Sequence, residues 1–170
     1  TTGVPTFVGF TEEDVEISTE SWARIFWSQG VRPGDLYHVC IVNWHPAMPS
    51  IRKVADMMGL SVVNTELSPL DIRRMVYTSH FLKPNVWLAL PPPMISAVDE
   101  ETARLGLDPR EVFSSYKAIL GGGDIITRKQ KNMIREKWGT KLYEVAGIGE
   151  LGFFPGECAV QDGQHVPEDL

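Results

Sequence analysis

The stretch KAILGGGDIITRKQKNMIREKWGTKLYEV, residues 117–145, decides the expected fold of this 170-residue chain. It begins with a strand-like run at residues 117–120 and ends with another at residues 141–145. Between these runs, residues 127–138 place apolar side chains at helical spacing among basic ones. A strand, a short glycine turn, a helix and a second strand in this order favour two parallel strands joined by a crossover helix.

The same alternation continues on the N-terminal side of this stretch. Helices are predicted after Thr11, whose position three residues before Asp14 is typical of a capping box, and after Ser68, which precedes a proline. Gly30 and Gly59 are predicted to end helices. Further strands are predicted at residues 6–10, 36–42, 60–64 and 86–90.

The predicted fold class is α/β, with alternating strands and helices that form a mostly parallel sheet with helices on both faces. After Gly147 the pattern changes to short runs broken by Gly and Pro, at residues 157–160 and 164–166. We therefore expect residues 1–150 to form the α/β portion and residues 151–170 a short, irregular, β-rich tail of the same domain.

Composition excludes several classes of function. The net charge is −6, and the basic residues of the helix at 127–138 are best interpreted as its solvated face, so no nucleic-acid partner is expected. No apolar run reaches the ~18 residues of a membrane span, and no signal peptide is visible, so no membrane is expected either. Cys40 and Cys158 are too few for a disulfide framework and fit a reducing, cytoplasmic compartment.

Two candidate sites follow predicted strands directly. Gly121, Gly122 and Gly123, with Asp124, would let backbone approach a flat or anionic ligand, or would simply form a tight turn into the next helix. Glu150 follows flexible glycines, where its carboxylate could reach a magnesium ion or remain a solvated loop residue. The residues alone leave both alternatives open.

The histidines and the second cysteine give further candidates. Cys158 and His165 flank a predicted turn, so they could share a metal ion, although two ligands do not make a zinc site. His45, beside Trp44 and after a strand, could line a pocket. His38 lies in an apolar strand and is expected to be a hydrogen-bonded core residue.

Five segments, in this order, resemble one family. They are TTGVPTFVGFT (residues 1–11), VRPGD (31–35), AILGGGDI (118–125), YEVAGIGELG (143–152) and GECAVQDGQHVPEDL (156–170). Together they resemble the adenylate-forming acyl-CoA ligases, and most closely the phenylacetate-CoA ligases. The resemblance runs from end to end, with the last segment the most specific, and it places the chain in the central part of the family's large N-terminal domain.

The resemblance implies a set of roles for named residues. The ATP phosphates would be bound by Thr1, Thr2 and Gly3, and the adenine by Gly121, Gly122, Gly123, Asp124, Ala146 and Gly147. Glu150 would be catalytic as the magnesium ligand. Trp44 and His45 would lie near the acyl pocket. Cys158 and His165 would be half of a structural zinc site.

The implied reaction joins a carboxylic acid, aryl or arylacetic in this subfamily, to AMP with release of pyrophosphate. Coenzyme A then takes the acyl group. Catalysis would rest mainly on positioning and charge stabilisation. ATP, Mg²⁺ and coenzyme A are therefore expected, with Zn²⁺ as a structural ion, and a homodimer is an open alternative.

The chain also departs from the family pattern. Ala146 stands where the family has an adenine-stacking Tyr, Gly149 where it has Ser or Thr, and Gly123-Asp124 where it has Glu-Pro. The lost stack should weaken nucleotide binding by ~1 kcal/mol or more. Two alternatives follow: a homologue that has lost adenylation and serves as a binding or scaffold domain, or an adenylate-former with an amine acceptor.

The resemblance also implies missing parts. The first half of the phosphate loop would precede Thr1, and the small C-terminal lid domain with its catalytic Lys would follow residue 170. We therefore expect this chain not to catalyse adenylation by itself.

Overall fold

A computed structural model describes residues 7–43, 45–66, 68–88, 90–147, 152 and 154–166 of the chain. Helices and strands alternate along it as predicted. The helices are α1 (Glu12–Ser28), α2 (Met48–Met58), α3 (Ile72–Leu82), α4 (Pro92–Arg104), α5 (Pro109–Phe113) and α6 (Arg128–Met133). The strands are β1 (Leu36–Cys40), β2 (Ser61–Thr65), β3 (Val86–Leu88), β4 (Ala118–Gly121), β5 (Leu142–Glu144), β6 (Gly156–Glu157) and β7 (Gln164–His165).

The first five strands form one parallel sheet in the order β2-β1-β3-β4-β5. The chain moves from β1 to one neighbour, β2, and then returns across β1 to β3, so the direction of winding reverses between β1 and β3. Strands β6 and β7 form a small antiparallel hairpin, which an isolated bridge between Val145 and Gly156 joins to the end of β5. The α/β class, the parallel sheet and the β-rich tail are therefore confirmed.

Helices cover both faces of the sheet, because the two crossover directions place them on opposite sides. One core contains buried residues of α1 and α2, such as Trp22, Phe26 and Ile51, packed on one face. The other contains residues of α3 to α6 and the π-helical turn Ile134–Trp138 that continues α6, packed on the opposite face around Trp87. The two cores hold the strand ends in a fixed arrangement.

Local sequence signals account for the helix ends. Thr11 and Asp14 form the predicted capping box, in which the Thr11 amide donates to Asp14 Oδ2 at 2.7 Å. Thr127 and Gln130 form a second capping box at the start of α6. Gly59 ends α2 with φ of 66°, a left-handed conformation that glycine adopts at little cost.

Three predictions about elements need correction. Residues 7–10 are not in a strand; Phe7 is 91% exposed and no described segment pairs with them. Residues 158–160 form a turn rather than a strand, since the Gln161 amide donates to the Cys158 carbonyl. The helical pattern predicts a helix that begins at Met94, but α4 begins at Pro92, because proline at the first helical position loses no hydrogen bond.

A buried polar cluster crosses the sheet at β1. His38 Nδ1 lies 2.9 Å from the Tyr116 hydroxyl, and His38 Nε2 lies 2.9 Å from Thr65 Oγ1. The Cys40 thiol contacts the same Thr65 hydroxyl at 2.9 Å and accepts a hydrogen bond from the indole of Trp87. His38 is thus the hydrogen-bonded core residue that the sequence predicted.

No helix in the described part of the chain combines the length and the apolar character that a bilayer crossing requires.

Candidate functional site

A cavity of about 140 Å³ lies beyond the carboxyl ends of four neighbouring parallel strands. Ile41 follows β1, Leu88 ends β3, Leu120 lies near the end of β4 and Val145 follows β5, and all four residues line it. The cavity therefore spans the point between β1 and β3 where the winding reverses. In open α/β sheets this is the place where ligands bind.

The cavity brings together predicted site residues that are far apart in the sequence. His45 lines it together with Gly121, Gly122 and Gly123, and with Ala146 and Gly147. The sequence assigned His45 to an acyl pocket and the others to an adenine site. The structure thus brings residues that were predicted for two different sites around a single space.

The three glycines each have their own structural reason. A β-carbon on Gly121 would lie 2.8 Å from the Leu90 carbonyl oxygen, and one on Gly122 would lie 2.5 Å from the Val145 carbonyl oxygen. Gly123 has φ of +83° and open space around it. Close packing of protein backbone therefore explains Gly121 and Gly122, which supports the tight-turn interpretation, while the same segment still forms a wall of the cavity.

Two aromatic residues that the sequence did not assign to the site form another wall. Trp22 of α1 and Phe154 both line the cavity, and their rings stack with centroids 4.8 Å apart. Gly147 lies so close to Phe154 that a β-carbon there would be 2.4 Å from ring atom Cδ1. Trp22 was visible in the sequence only as part of a buried helix face, because the contact with residue 154 arises from tertiary packing.

Among the described residues that line the cavity, His45 alone has a titratable side chain. It is half-buried, and desolvation lowers the pKa of its imidazole, so the ring is neutral near pH 7. Its Nδ1 accepts a hydrogen bond from the Ala47 amide at 3.2 Å, which fixes the ring orientation. The cavity wall is therefore apolar, with a neutral polar group at its edge. A cavity of this kind suits an uncharged, flat part of a ligand.

The remaining predicted residues fall elsewhere. Asp124 does not line this cavity; it is exposed on a neighbouring groove, where its Oδ1 accepts from the Ile125 amide at 2.7 Å. Its role at adenine stays a prediction. The other predicted residues lie outside the described part of the chain, namely Thr1, Thr2, Gly3, Trp44 and Glu150.

Cys158 and His165 are brought together by the β6–β7 hairpin. The pKa of the Cys158 thiol is lowered, first by the amide of Val160 and then by the imidazole of His165. In the described residues no third His, Cys, Asp or Glu side chain joins them in an arrangement that could hold a metal ion. The hairpin thus brings Cys158 and His165 into contact, and zinc stays a prediction.

Buried polar contacts hold this hairpin against β5. Glu157 is 4% exposed; its Oε1 pairs with Lys131 of α6, and its Oε2 accepts from the Glu144 amide at 2.8 Å. Gln29 at the end of α1 donates to the Glu157 carbonyl at 2.8 Å. These contacts fix the position of the segment that carries Phe154 beside the cavity.

Solved structures identify the class of protein that shares this fold. A 2-hydroxyisobutyryl-CoA ligase, solved with an acyl-AMP and CoA, matches 96% of the chain with a TM-score of 0.83 and 23% identity, over 39% of its own length. An o-succinylbenzoate coenzyme A synthetase from Bacillus subtilis, solved with ATP and magnesium, matches 95% of the chain with a TM-score of 0.72 and 19% identity, over 31% of its own length. The fold is that of the adenylate-forming CoA ligases.

Relatives in sequence point to one kind of CoA ligase. Phenylacetate-coenzyme A ligases of Thermus thermophilus and Pseudomonas putida are 28% and 27% identical to the chain over 99% of its length. That of Aromatoleum evansii is 26% identical over the same share. No protein-family model matches the chain. The chain spans 38% of the length of each of these relatives, and the resemblance predicted from its motifs is confirmed.

Proposed function

We propose that the full-length protein activates an aryl or arylacetic acid with ATP, releases pyrophosphate and transfers the acyl group to coenzyme A. The observation that carries this proposal is the cavity at the carboxyl ends of β1, β3, β4 and β5. It gathers residues from two segments of the resemblance, 118–125 and 143–152, together with His45. It does so in a chain whose relatives are phenylacetate-coenzyme A ligases. On this proposal, residues 1–150 carry the ATP and acyl sites and residues 151–170 complete the same domain.

The size of the cavity supports an aromatic acid. An apolar cavity of about 150 Å³ is enough to bind benzene in another protein. The cavity here has about 140 Å³, with Trp22 and Phe154 on one side and glycine backbone on the other. Stacking between flat surfaces and the neutral His45 favour an uncharged ring, whose carboxylate would point away from the apolar wall.

The roles of the other residues follow from the motifs. Thr1, Thr2 and Gly3 would bind the ATP phosphates, and Gly121 to Asp124 with Ala146 and Gly147 would border the adenine. Glu150 would hold the magnesium ion, which supplies charge neutralisation at the phosphates. The chain's own contribution at the described residues is positioning and the exclusion of water around the acyl group.

Two further elements belong to the proposal. Cys158 and His165, held together by the hairpin, would supply two of the ligands of a structural zinc ion. Both cysteines are free thiols, which suits a reducing cytoplasmic compartment. Metal analysis of the purified full-length protein tests the first element, and a zinc stoichiometry near zero would remove Cys158 and His165 as ligands.

The test of the activity is pyrophosphate release by the full-length protein with ATP, magnesium and a panel of aryl and short aliphatic acids. Release with an aryl or arylacetic acid, followed by thioester formation with coenzyme A, is the expected result. Pyrophosphate release that requires an amine and is independent of coenzyme A would show that the acyl acceptor is an amine rather than a thiol.

A binding or scaffold role is the second candidate, and Ala146 is the observation that favours it. This residue is exposed beside the cavity at the position of the family's stacking Tyr. No pyrophosphate release and no ATP binding by calorimetry would select this alternative.

A further inference from the structure

The ring of Phe154 separates two spaces in the protein. One is the cavity of about 140 Å³ at the strand ends, and the other is a smaller one of about 10 Å³ beside the start of α1. Phe154 and Ala47 are the described residues that line both. Ala47 contributes only a methyl group, so the phenyl ring of Phe154 forms most of the partition.

Three contacts hold the ring in place. It stacks on the indole of Trp22 with an interplanar angle of 26°, and its edge lies against Gly147. The hydroxyl of Ser21 donates to the backbone carbonyl of Phe154 at 3.2 Å in a buried hydrogen bond. Because backbone and ring are both anchored, the ring acts as a fixed wall rather than a mobile side chain.

The space behind the ring differs from the main cavity. Its lining is mostly apolar, with Phe10, Val15 and Pro49, but it also includes Ser18, Ser50 and Asp14, whose carboxylate is bound by the amide and hydroxyl of Thr11. Removing the ring would therefore join the main cavity to a small, mostly apolar space beside the start of α1.

We propose that Phe154 determines which carboxylic acids the site accepts, by setting the maximum length of the acyl group. This inference rests on the proposed ligase function and adds a residue to it. An acid with one ring close to the carboxylate fits in front of Phe154. An acid with a longer spacer drives its ring into the partition.

The test compares phenylacetate with 4-phenylbutyrate as substrates of the full-length protein, with pyrophosphate release as the readout. In Phe154→Ala, the ratio of kcat/KM for 4-phenylbutyrate to that for phenylacetate should rise by roughly tenfold or more, the scale of discrimination set by one or two methylenes. Phe154→Leu should give a smaller rise. Phe81→Ala is the matched control, since Phe81 is 71% exposed on α3 and the ratio should not change.

The outcomes separate this inference from the proposed function. If wild-type protein releases pyrophosphate but neither Phe154 variant changes the ratio, the inference is wrong and the ligase function stands. If wild-type protein releases no pyrophosphate with any acid, the ligase function is wrong. The ratio of the affinities for the two acids, measured by calorimetry in wild type and variants, then tests whether Phe154 limits the length of the acyl group. Binding of neither acid to any of these proteins overturns both. Should Phe154→Ala fail to fold, Phe154→Leu decides.

Discussion

The α-carbon of Gly122 faces the carbonyl oxygen of Val145 so closely that an added β-carbon would lie 2.5 Å from that oxygen. This contact joins the turn after β4 to the end of β5, the two strands that border the cavity on one side. No flexible side chain can move away, because the opposing atom belongs to the backbone. The turn is therefore shaped by packing within the protein.

Gly122→Ala should accordingly reduce the free energy of unfolding by about 1–3 kcal/mol, the usual cost of overpacking. Gly9→Ala is the control, because a β-carbon at Gly9 meets nothing within 4 Å and the change should be near zero. Urea unfolding followed by tryptophan fluorescence measures both. Equal stability of the two variants would show that the turn relaxes freely.

Glu157→Ala should cost about 2 kcal/mol or more, since it leaves Lys131 and the Glu144 amide without their partner in a mostly buried site. The exposed ion pair of Glu16 with Lys53 gives the matched control, and Glu16→Ala should change stability by no more than about 1 kcal/mol. Amide exchange at Glu144 should accelerate in Glu157→Ala alone. Unchanged protection there would contradict the proposed anchoring of the hairpin.

His38 should make the protein less stable in mild acid. Burial lowers the pKa of its imidazole to about 3, so the folded protein leaves it neutral while the unfolded chain takes up a proton below its ordinary pKa of about 6.5. Stability from this group is therefore complete above pH 6.5 and is lost as pH falls toward 3. Between pH 7.5 and pH 5 the loss should be about 2 kcal/mol.

Denaturant unfolding at several pH values measures this slope. His38→Gln should lower stability at pH 7.5 and flatten the slope. An unchanged slope in His38→Gln would assign the acid sensitivity to other groups.

The two cysteines should differ sharply toward iodoacetamide at neutral pH. The amide of Val160 and the imidazole of His165 lower the pKa of Cys158, whereas burial raises the pKa of Cys40 to about 12. In the metal-free protein, Cys158 should therefore react quickly and Cys40 only after unfolding. Mass spectrometry should find the fast label on Cys158, absent in Cys158→Ser. Fast labelling of Cys40 would show that the buried cluster opens.

Ala146→Tyr should restore an aromatic surface beside the cavity. Ala146 is exposed, so the larger side chain meets no core packing, and ATP should bind about fivefold more tightly, equivalent to about 1 kcal/mol of stacking. Ala159→Tyr, at another exposed position, is the control. Calorimetry of the full-length protein measures the ATP affinity of both variants. An equal affinity in the two variants would show that residue 146 does not contact the nucleotide.

Local patterns in the sequence predicted much of the fold. Capping residues such as Thr11 and apolar spacing located the long helices, and apolar runs located the strands. The short helix α5 has too few residues to show a period. The strand order is set by contacts between distant segments, so the sequence showed the alternation but not the reversal between β1 and β3.

The site was predicted only where it follows a strand. His45 follows β1, Gly121 ends β4 and Ala146 follows β5. These residues could be predicted because ligands bind at the carboxyl ends of strands in α/β sheets. Trp22 and Phe154 carry no such signal. One lies inside a helix and the other before the terminal hairpin, and packing alone makes them neighbours.

The packing of the turn at Gly121 and Gly122 has a consequence for tracing the history of this protein. A descendant that abandoned adenylation would still need both glycines to fold, so selection would preserve them without regard to chemistry. Position 146, whose exposed side chain borders the cavity without supporting the strand ends, is free to vary with the ligand. A change of ligand would therefore be recorded at position 146, while the glycine turn stayed the same.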